Sequence, residues 1–277
     1  MSGSSKTNTN TTPEILALDF DGVILNGLKE YFLTAWRAYR QIWPPEGERL
    51  VVDKPPEGLA EGFYRLRPVI ETGWEMPVLL RALVLGESED RIVEDWPQVL
   101  GEVMEREGGD RLRIGTLVDC VRDEWIERDL DGWLAIQGFY PGTIERLRAW
   151  LAGDVRVFIV STKEGRFIHR LLKQAGVEFP RDRIFGKEVK RPKYETLRLL
   201  LEKESVAADR LWFVEDRLKA LELVGEQADL EGVGLFLAGW GYNLERDRAL
   251  VSGGGRIQLL DLERFSRDLS GWGVEII

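Results

Sequence analysis

One stretch constrains this chain more than any other: Ile15-Leu16-Ala17-Leu18-Asp19-Phe20-Asp21-Gly22-Val23. Four apolar residues run into two carboxylates two positions apart, and a glycine follows. A buried strand that carries charge to its end is costly unless the charge is paired or holds a metal. Residues i and i+2 of a strand project to the same side, so both acids can face one ligand. They would meet it at the carboxyl edge of the sheet, where open α/β sheets bind substrates. A plain Asp-Gly turn leaves the apolar run unexplained. A calcium loop starting at Asp19 would need a ligand at Val23 and a glycine at Ile24, and these residues supply neither.

Three further apolar runs read as buried strands: Val155–Val160, Leu211–Val214 and Val233–Leu237. Between them, Arg166–Ala175 and Tyr194–Lys203 place apolar residues at helical spacing. Strands alternating with helices predict a three-layer α/β/α, Rossmann-like core with a parallel sheet. The stretch from Leu28 to Gln137 differs. It reads as helices broken by Pro44-Pro45, Pro55-Pro56, Pro68, Pro77 and Gly108-Gly109, with no strand. The expected organisation is a tail over 1–12, a core built from 13–27 and 138–277, and a helical insertion over 28–137.

Composition removes whole classes of chemistry. His169 is the only histidine and Cys120 the only cysteine among 277 residues. Ser-His-Asp and Cys-His catalysis, multi-histidine metal sites and intramolecular disulfides are therefore excluded. Acid–base work must fall to carboxylates, lysine or tyrosine. The formal net charge of −10 argues against nucleic-acid binding. No apolar run is long enough to span a membrane, and the Ser/Thr/Asn-rich start lacks a signal-peptide core. A cytoplasmic protein is the expectation.

The chemistry gathers at predicted strand ends. Asp19 and Asp21 follow the first strand, and Ser161-Thr162 follow the second. Lys187, Lys190 and Lys193 lie before or at a helix start, and Glu215-Asp216 follow the third strand. Several carboxylates around one point repel unless a cation joins them, and oxygen ligands beside a phosphate suit Mg²⁺. A carboxylate can attack phosphorus, a second can move the proton, and a hydroxyl and a lysine can stabilise the phosphoryl oxygens. Residues 155–193 hold eleven basic against four acidic side chains, a field that would draw in an anionic substrate.

In this order, the motifs resemble those of the haloacid dehalogenase superfamily, on its phosphatase side, with a C1-type helical cap. The resemblance covers about 13–27 and 138–270; the cap matches in position and helical character only. Asp19-Phe20-Asp21-Gly22-Val23 looks like the first motif, Ser161 like the second, and Glu215-Asp216 like the fourth. Phe139-Tyr140-Pro141-Gly142-Thr143 and Ala238-Gly239-Trp240-Gly241-Tyr242 are similar to core segments of phosphoglycolate-phosphatase-like members. The resemblance implies Asp19 as nucleophile and Asp21 as general acid/base. It implies Mg²⁺ held by Asp19, the Asp21 carbonyl, Glu215 and Asp216.

The third-motif lysine is Lys193 or Lys190. Lys193 is preferred because it opens a helix, and Lys190-Arg191-Pro192 departs from the common Lys-Pro form. Asp21 favours a phosphate ester over a halide, because an alkoxide leaving group needs a proton. The reading is a Mg²⁺-dependent phosphatase acting on a small phosphorylated metabolite, as monomer or homodimer. The alternatives are a sugar phosphomutase and a non-catalytic binding or regulatory protein on the same scaffold. Arg65, Arg67, Arg111 and Arg113 are candidate substrate contacts. Asn26, His169, Gly253-Gly254-Gly255 and the tryptophans of the helical insertion read as structural.

Overall fold

The computed structural model describes residues 12–44 and 54–272. The tail expected over 1–12 lies outside them except for Thr12, as does Pro45. Contacts divide the chain into two compact units, Met1–Asn26 with Phe139–Ile277, and Gly27–Gly138. The sequence reading set the insertion one residue shorter at each end. Among the described residues, no helix is long and apolar enough to cross a membrane.

The first unit is built on strands β1 (Ile15–Leu18), β4 (Arg156–Val160), β5 (Ile184–Phe185), β6 (Leu211–Glu215), β7 (Gly234–Ala238) and β8 (Ile257–Leu260). A two-residue strand β2 (Leu25–Asn26) and its partner β3 (Gly138–Phe139) form a separate small ribbon. The main sheet has the order β5-β4-β1-β6-β7-β8 and every pairing is parallel. Parallel strands are covered on both faces, which is why β1 and β6 are buried throughout and read as unbroken apolar runs.

The sheet has two extra members. Neither β5 nor β8 stood out in the sequence. β5 has two residues, and β8 is an edge strand with three of its four residues only half-buried. The observed β4 and β7 each begin one residue later than expected, at Arg156 and Gly234. The two anticipated helices span Gly165–Gln174 and Lys193–Glu204.

One sheet face packs Ile15, Ala17, Phe158, Phe213, Leu235 and Leu237 against Leu197 and Leu200 of the helix Lys193–Glu204 and Leu221 and Val224 of the helix Leu218–Gly225. An aromatic cluster adds a second core. Trp272 stacks on Trp212 at 5.7 Å and meets Trp150, Phe236 and Phe265 edge-on or tilted. Register then aligns the chemistry. Leu18 lies opposite Ile159 and Val214, so the residues after each of these strands emerge at the same carboxyl edge.

The second unit is helical, with no strand among the described residues from Leu28 to Gln137. Four of its helices start where a side chain accepts from free backbone N–H groups, those capped by Ser88, Asp95, Asp110 and Asp129. Its tryptophans are largely core. Trp133 is buried, Trp36 stacks on Tyr39, and the Trp96 indole donates to Glu75 at 2.9 Å. Buried Glu30 is held by Arg122 and by the Thr34 hydroxyl, both at 2.8 Å.

Phe213 sits at the centre of β6 and is fully buried. Phe213→Ala should cost about 3–5 kcal/mol through lost burial and a residual cavity. Urea unfolding checks this, and a loss below about 1 kcal/mol would show that the core is not packed as described.

Candidate active site

The chain leaves β1 through a tight turn. Asp19 N–H donates to the Val214 carbonyl at 2.9 Å, prolonging the ladder by one step. The Phe20 carbonyl then accepts from Ile24 and Leu25, and Gly22 takes φ = +84°. A side chain at Gly22 would be strained, and its Cβ would lie 2.0 Å from Asp216 Oδ2. This glycine lets the loops after β1 and β6 close on each other.

Three carboxylates converge there. Asp19, Glu215 and Asp216 each offer an oxygen within 4.8 Å of the others, and all three residues are buried. Lys193, at the start of its helix, reaches into the group. Its Nζ lies 3.0 Å from Asp19 Oδ2 and 2.5 Å from Glu215 Oε2. Two ionised carboxylates at this separation repel by roughly 3 kcal/mol at an effective dielectric of about 20. One ammonium cannot balance three such charges.

The titration behaviour follows. Burial pushes the Asp19 carboxyl up from 3.8 to about 7; Lys193 pulls it down, while Glu215 and Asp21 add to the rise. Burial also raises Glu215, against the pull of Lys193 and with the help of Asp216. Burial opposes the charge on Lys193, but Asp19 and Glu215 more than offset it and hold the ammonium above its ordinary value.

Asp21 is set apart from this cluster. Its oxygens face the Lys163 ammonium at 3.1 and 3.3 Å. Ser161, buried at the end of β4, accepts from Lys163 N–H through its Oγ at 3.2 Å. One short turn after β4 thus places a hydroxyl and an ammonium beside the loop after β1. Lys190 is different. It is exposed, in a left-handed conformation at φ = 52°, in the connection before Lys193. Of the two candidate lysines, Lys193 is the one brought to Asp19.

A clamp from the loop after β7 completes the site. Tyr242 N–H donates to Asp216 Oδ2 at 2.7 Å. The Asn243 amide donates to the carbonyls of Asp216 and Ala238 at 3.0 and 2.8 Å. Arg248 donates to Asn243 Oδ1 at 2.9 Å, which fixes that amide's orientation. Trp240 Nε1 donates to the Val23 carbonyl at 3.0 Å. A Cβ on Gly241 would lie 2.3 Å from Asp216 Cβ, so only glycine allows the loop so close.

Sequence reading missed Lys163, Asn243 and Arg248. Lys163 entered only as one of the eleven basic residues of 155–193, although its position two residues beyond a strand-end serine was the available signal. Asn243 and Arg248 act through a loop geometry that no local pattern announces. Of the candidate substrate arginines, Arg65 is engaged by Glu89, Arg67 donates to the Ile70 carbonyl, and Arg111 lies over Trp74; Arg113 is exposed. His169 accepts from Arg181 on the surface of its helix.

The residues fit a hard divalent cation. The donors are all oxygens, the cluster is buried, and it carries more negative charge than Lys193 neutralises. Asp19, Glu215 and Asp216 would hold it.

This arrangement makes stability depend on pH with a defined sign. Without metal, the folded-state pKa of Asp19 is raised, so its contribution is fully present below about pH 4 and is lost as pH rises through about 7. The stability of the wild type relative to Asp19→Asn should therefore fall between those limits. Mg²⁺ should raise the melting temperature more at pH 8 than at pH 5. A flat difference, or a Mg²⁺ effect that is larger at pH 5, would contradict the charge account.

The arrangement can be set against known proteins. No family model matches the chain, and no curated protein does. Solved structures do. One, from Haemophilus somnus, is described as a predicted phosphoglycolate phosphatase. It is 15% identical, with a TM-score of 0.57, over 85% of this chain and 89% of that one. A predicted phosphatase from Clostridium acetobutylicum is 13% identical, with a TM-score of 0.58, over 92% and 97%. A haloacid dehalogenase-like family hydrolase from Streptococcus pneumoniae is 14% identical, with a TM-score of 0.51, over 91% and 94%. At such identities the likeness is one of fold: this chain has the fold of the haloacid dehalogenase-like hydrolases.

Proposed function

We propose that this protein is a Mg²⁺-dependent phosphomonoesterase that hydrolyses a small phosphorylated metabolite through an aspartyl-phosphate at Asp19. The observation that carries the reading is the division between two carboxylates two residues apart. Asp19 lies in the buried cluster with Lys193, Glu215 and Asp216, and Asp21 faces Lys163 outside it. Two acids in two environments suit two roles. That fold neighbours include proteins described as phosphatases supports the same class of reaction.

In the first step an Asp19 oxygen attacks phosphorus, the ester P–O bond breaks, and Asp21 gives its proton to the departing alkoxide. In the second step Asp21 takes a proton from water. The hydroxide attacks phosphorus, the bond from phosphorus to Asp19 breaks, and inorganic phosphate leaves. Ser161 Oγ and Lys193 Nζ donate to the phosphoryl oxygens as charge builds on them. Mg²⁺, when bound, neutralises the carboxylate cluster and the incoming phosphate. Asn243 and Arg248 keep Asp216 in place, and Gly22 and Gly241 keep the loops close.

The reading assigns selection of the leaving group to the helical unit. The single, exposed, unpaired Cys120 fits a reducing, cytoplasmic setting.

Hydrolysis of p-nitrophenyl phosphate tests the reading. The wild type should turn it over with Mg²⁺ and stop on chelation. Asp19→Asn should lose activity by on the order of a thousand-fold or more while keeping its circular dichroism. A variant retaining a tenth of the wild-type rate would remove Asp19 as nucleophile.

A further inference from the structure

A crevice of about 260 Å³ opens beside the phosphoryl-handling residues, within the first unit. It shares Ser161 and Lys193 with the site above; Val160, Thr162, Phe185 and Thr196 contribute to its wall, and the rest is the connection from β5 to the helix Lys193–Glu204. That connection reads Gly186-Lys187-Glu188-Val189-Lys190-Arg191-Pro192. Three of its side chains, Lys187, Lys190 and Arg191, are exposed cations that line the crevice.

Several basic side chains of this protein meet an acid. Arg81, Arg91, Arg122, Arg156, Arg198 and Lys193 all do. Among the described residues Lys187, Lys190 and Arg191 have no acidic partner. The one acid of the connection does not serve them, because Glu188 Oε2 accepts from Gly165 N–H at 3.1 Å, at the start of the helix Gly165–Gln174. The connection is also held in one shape. Lys187 N–H donates to the Lys163 carbonyl at 2.9 Å. Lys190 adopts φ = 52° and ψ = 38°, a conformation side-chain-bearing residues rarely keep without support.

Three uncompensated cations on a braced connection, around a crevice of this size, have the chemistry of an oxyanion site. Two ammonium groups and a guanidinium suit a phosphate dianion, which the guanidinium can grip through two N–H groups. We propose that this crevice is a second phosphate subsite, distinct from the position over Asp19 and adjoining it through Ser161 and Lys193. The phosphate is either a second group on the substrate or a free phosphate ion.

The test uses the Mg²⁺-loaded full chain and the Lys187→Ala/Arg191→Ala double variant. Both side chains are exposed, so the variant should melt near the wild type. Calorimetric titration with inorganic phosphate reads the free-ion source. Two equivalents are expected for the wild type and one for the variant, with the second weakening as ionic strength rises. Arg191→Lys, which keeps the charge, should retain the second equivalent and so separates charge from folding.

Competition against p-nitrophenyl phosphate reads the tethered source, comparing propane-1,3-bisphosphonate with propylphosphonate. A wild-type preference for the bisphosphonate of about ten-fold, lost in the double variant, is the size expected for two screened ion pairs. Loss of that preference assigns the subsite to the substrate. Loss of only the second phosphate equivalent assigns it to a free ion. One equivalent in both proteins, together with equal inhibition by both probes, overturns the proposal. The competition arm and the equivalent that the double variant keeps rest on the phosphatase reading; the equivalent that the double variant loses does not, so a wild type with one equivalent and a variant with none would contradict that reading and leave the subsite standing.

Discussion

An excess of buried negative charge at one sheet edge governs this molecule. Asp19, Glu215 and Asp216 lie within 4.8 Å of one another, and Lys193 is the ammonium placed among them. Burial makes each charge costly, and mutual repulsion adds to that cost. The protein alone resolves this by raising the carboxyl pKa values of Asp19 and Glu215. A divalent cation resolves it another way, by supplying the missing charge. The donor set of this cluster, three buried carboxylates, fits such a cation.

The rest of the first unit serves that edge. The parallel register brings the ends of β1, β4 and β6 level. The two apolar faces of the sheet hold those strands rigid, so the loops beyond them can be short. Gly22 and Gly241 let three loops approach closely, and the Asn243–Arg248 pair pins the backbone that carries Asp216. Packing, loop geometry and charge are therefore a single design: loosening any of them moves an oxygen of the cluster.

Much of this was legible in the chain. β1, β4, β6 and β7 could be read because parallel strands buried on both faces are written as apolar runs. Asp19, Asp21, Ser161, Glu215 and Asp216 could be read because each follows such a run directly. Lys193 could be read because it opens a helix. β5 was too short to leave a pattern, and the half-buried edge strand β8 left only a weak one. Lys163 was hidden among many basic neighbours, and its pairing with Asp21 depends on two loops distant in sequence meeting in space. The role of the helical unit was not legible either, because aromatic and basic residues follow the same spacing whether they fill a core or face a ligand.

The central claim is that Asp19 becomes covalently bonded to phosphorus. It can be tested by quenching the Mg²⁺-loaded protein in acid during turnover, reducing with borohydride and mapping the peptides. An acyl phosphate at Asp19 is reduced to homoserine, so the account predicts homoserine at position 19 and aspartate at position 21. Active protein that yields homoserine at position 21, or at neither position, would contradict it.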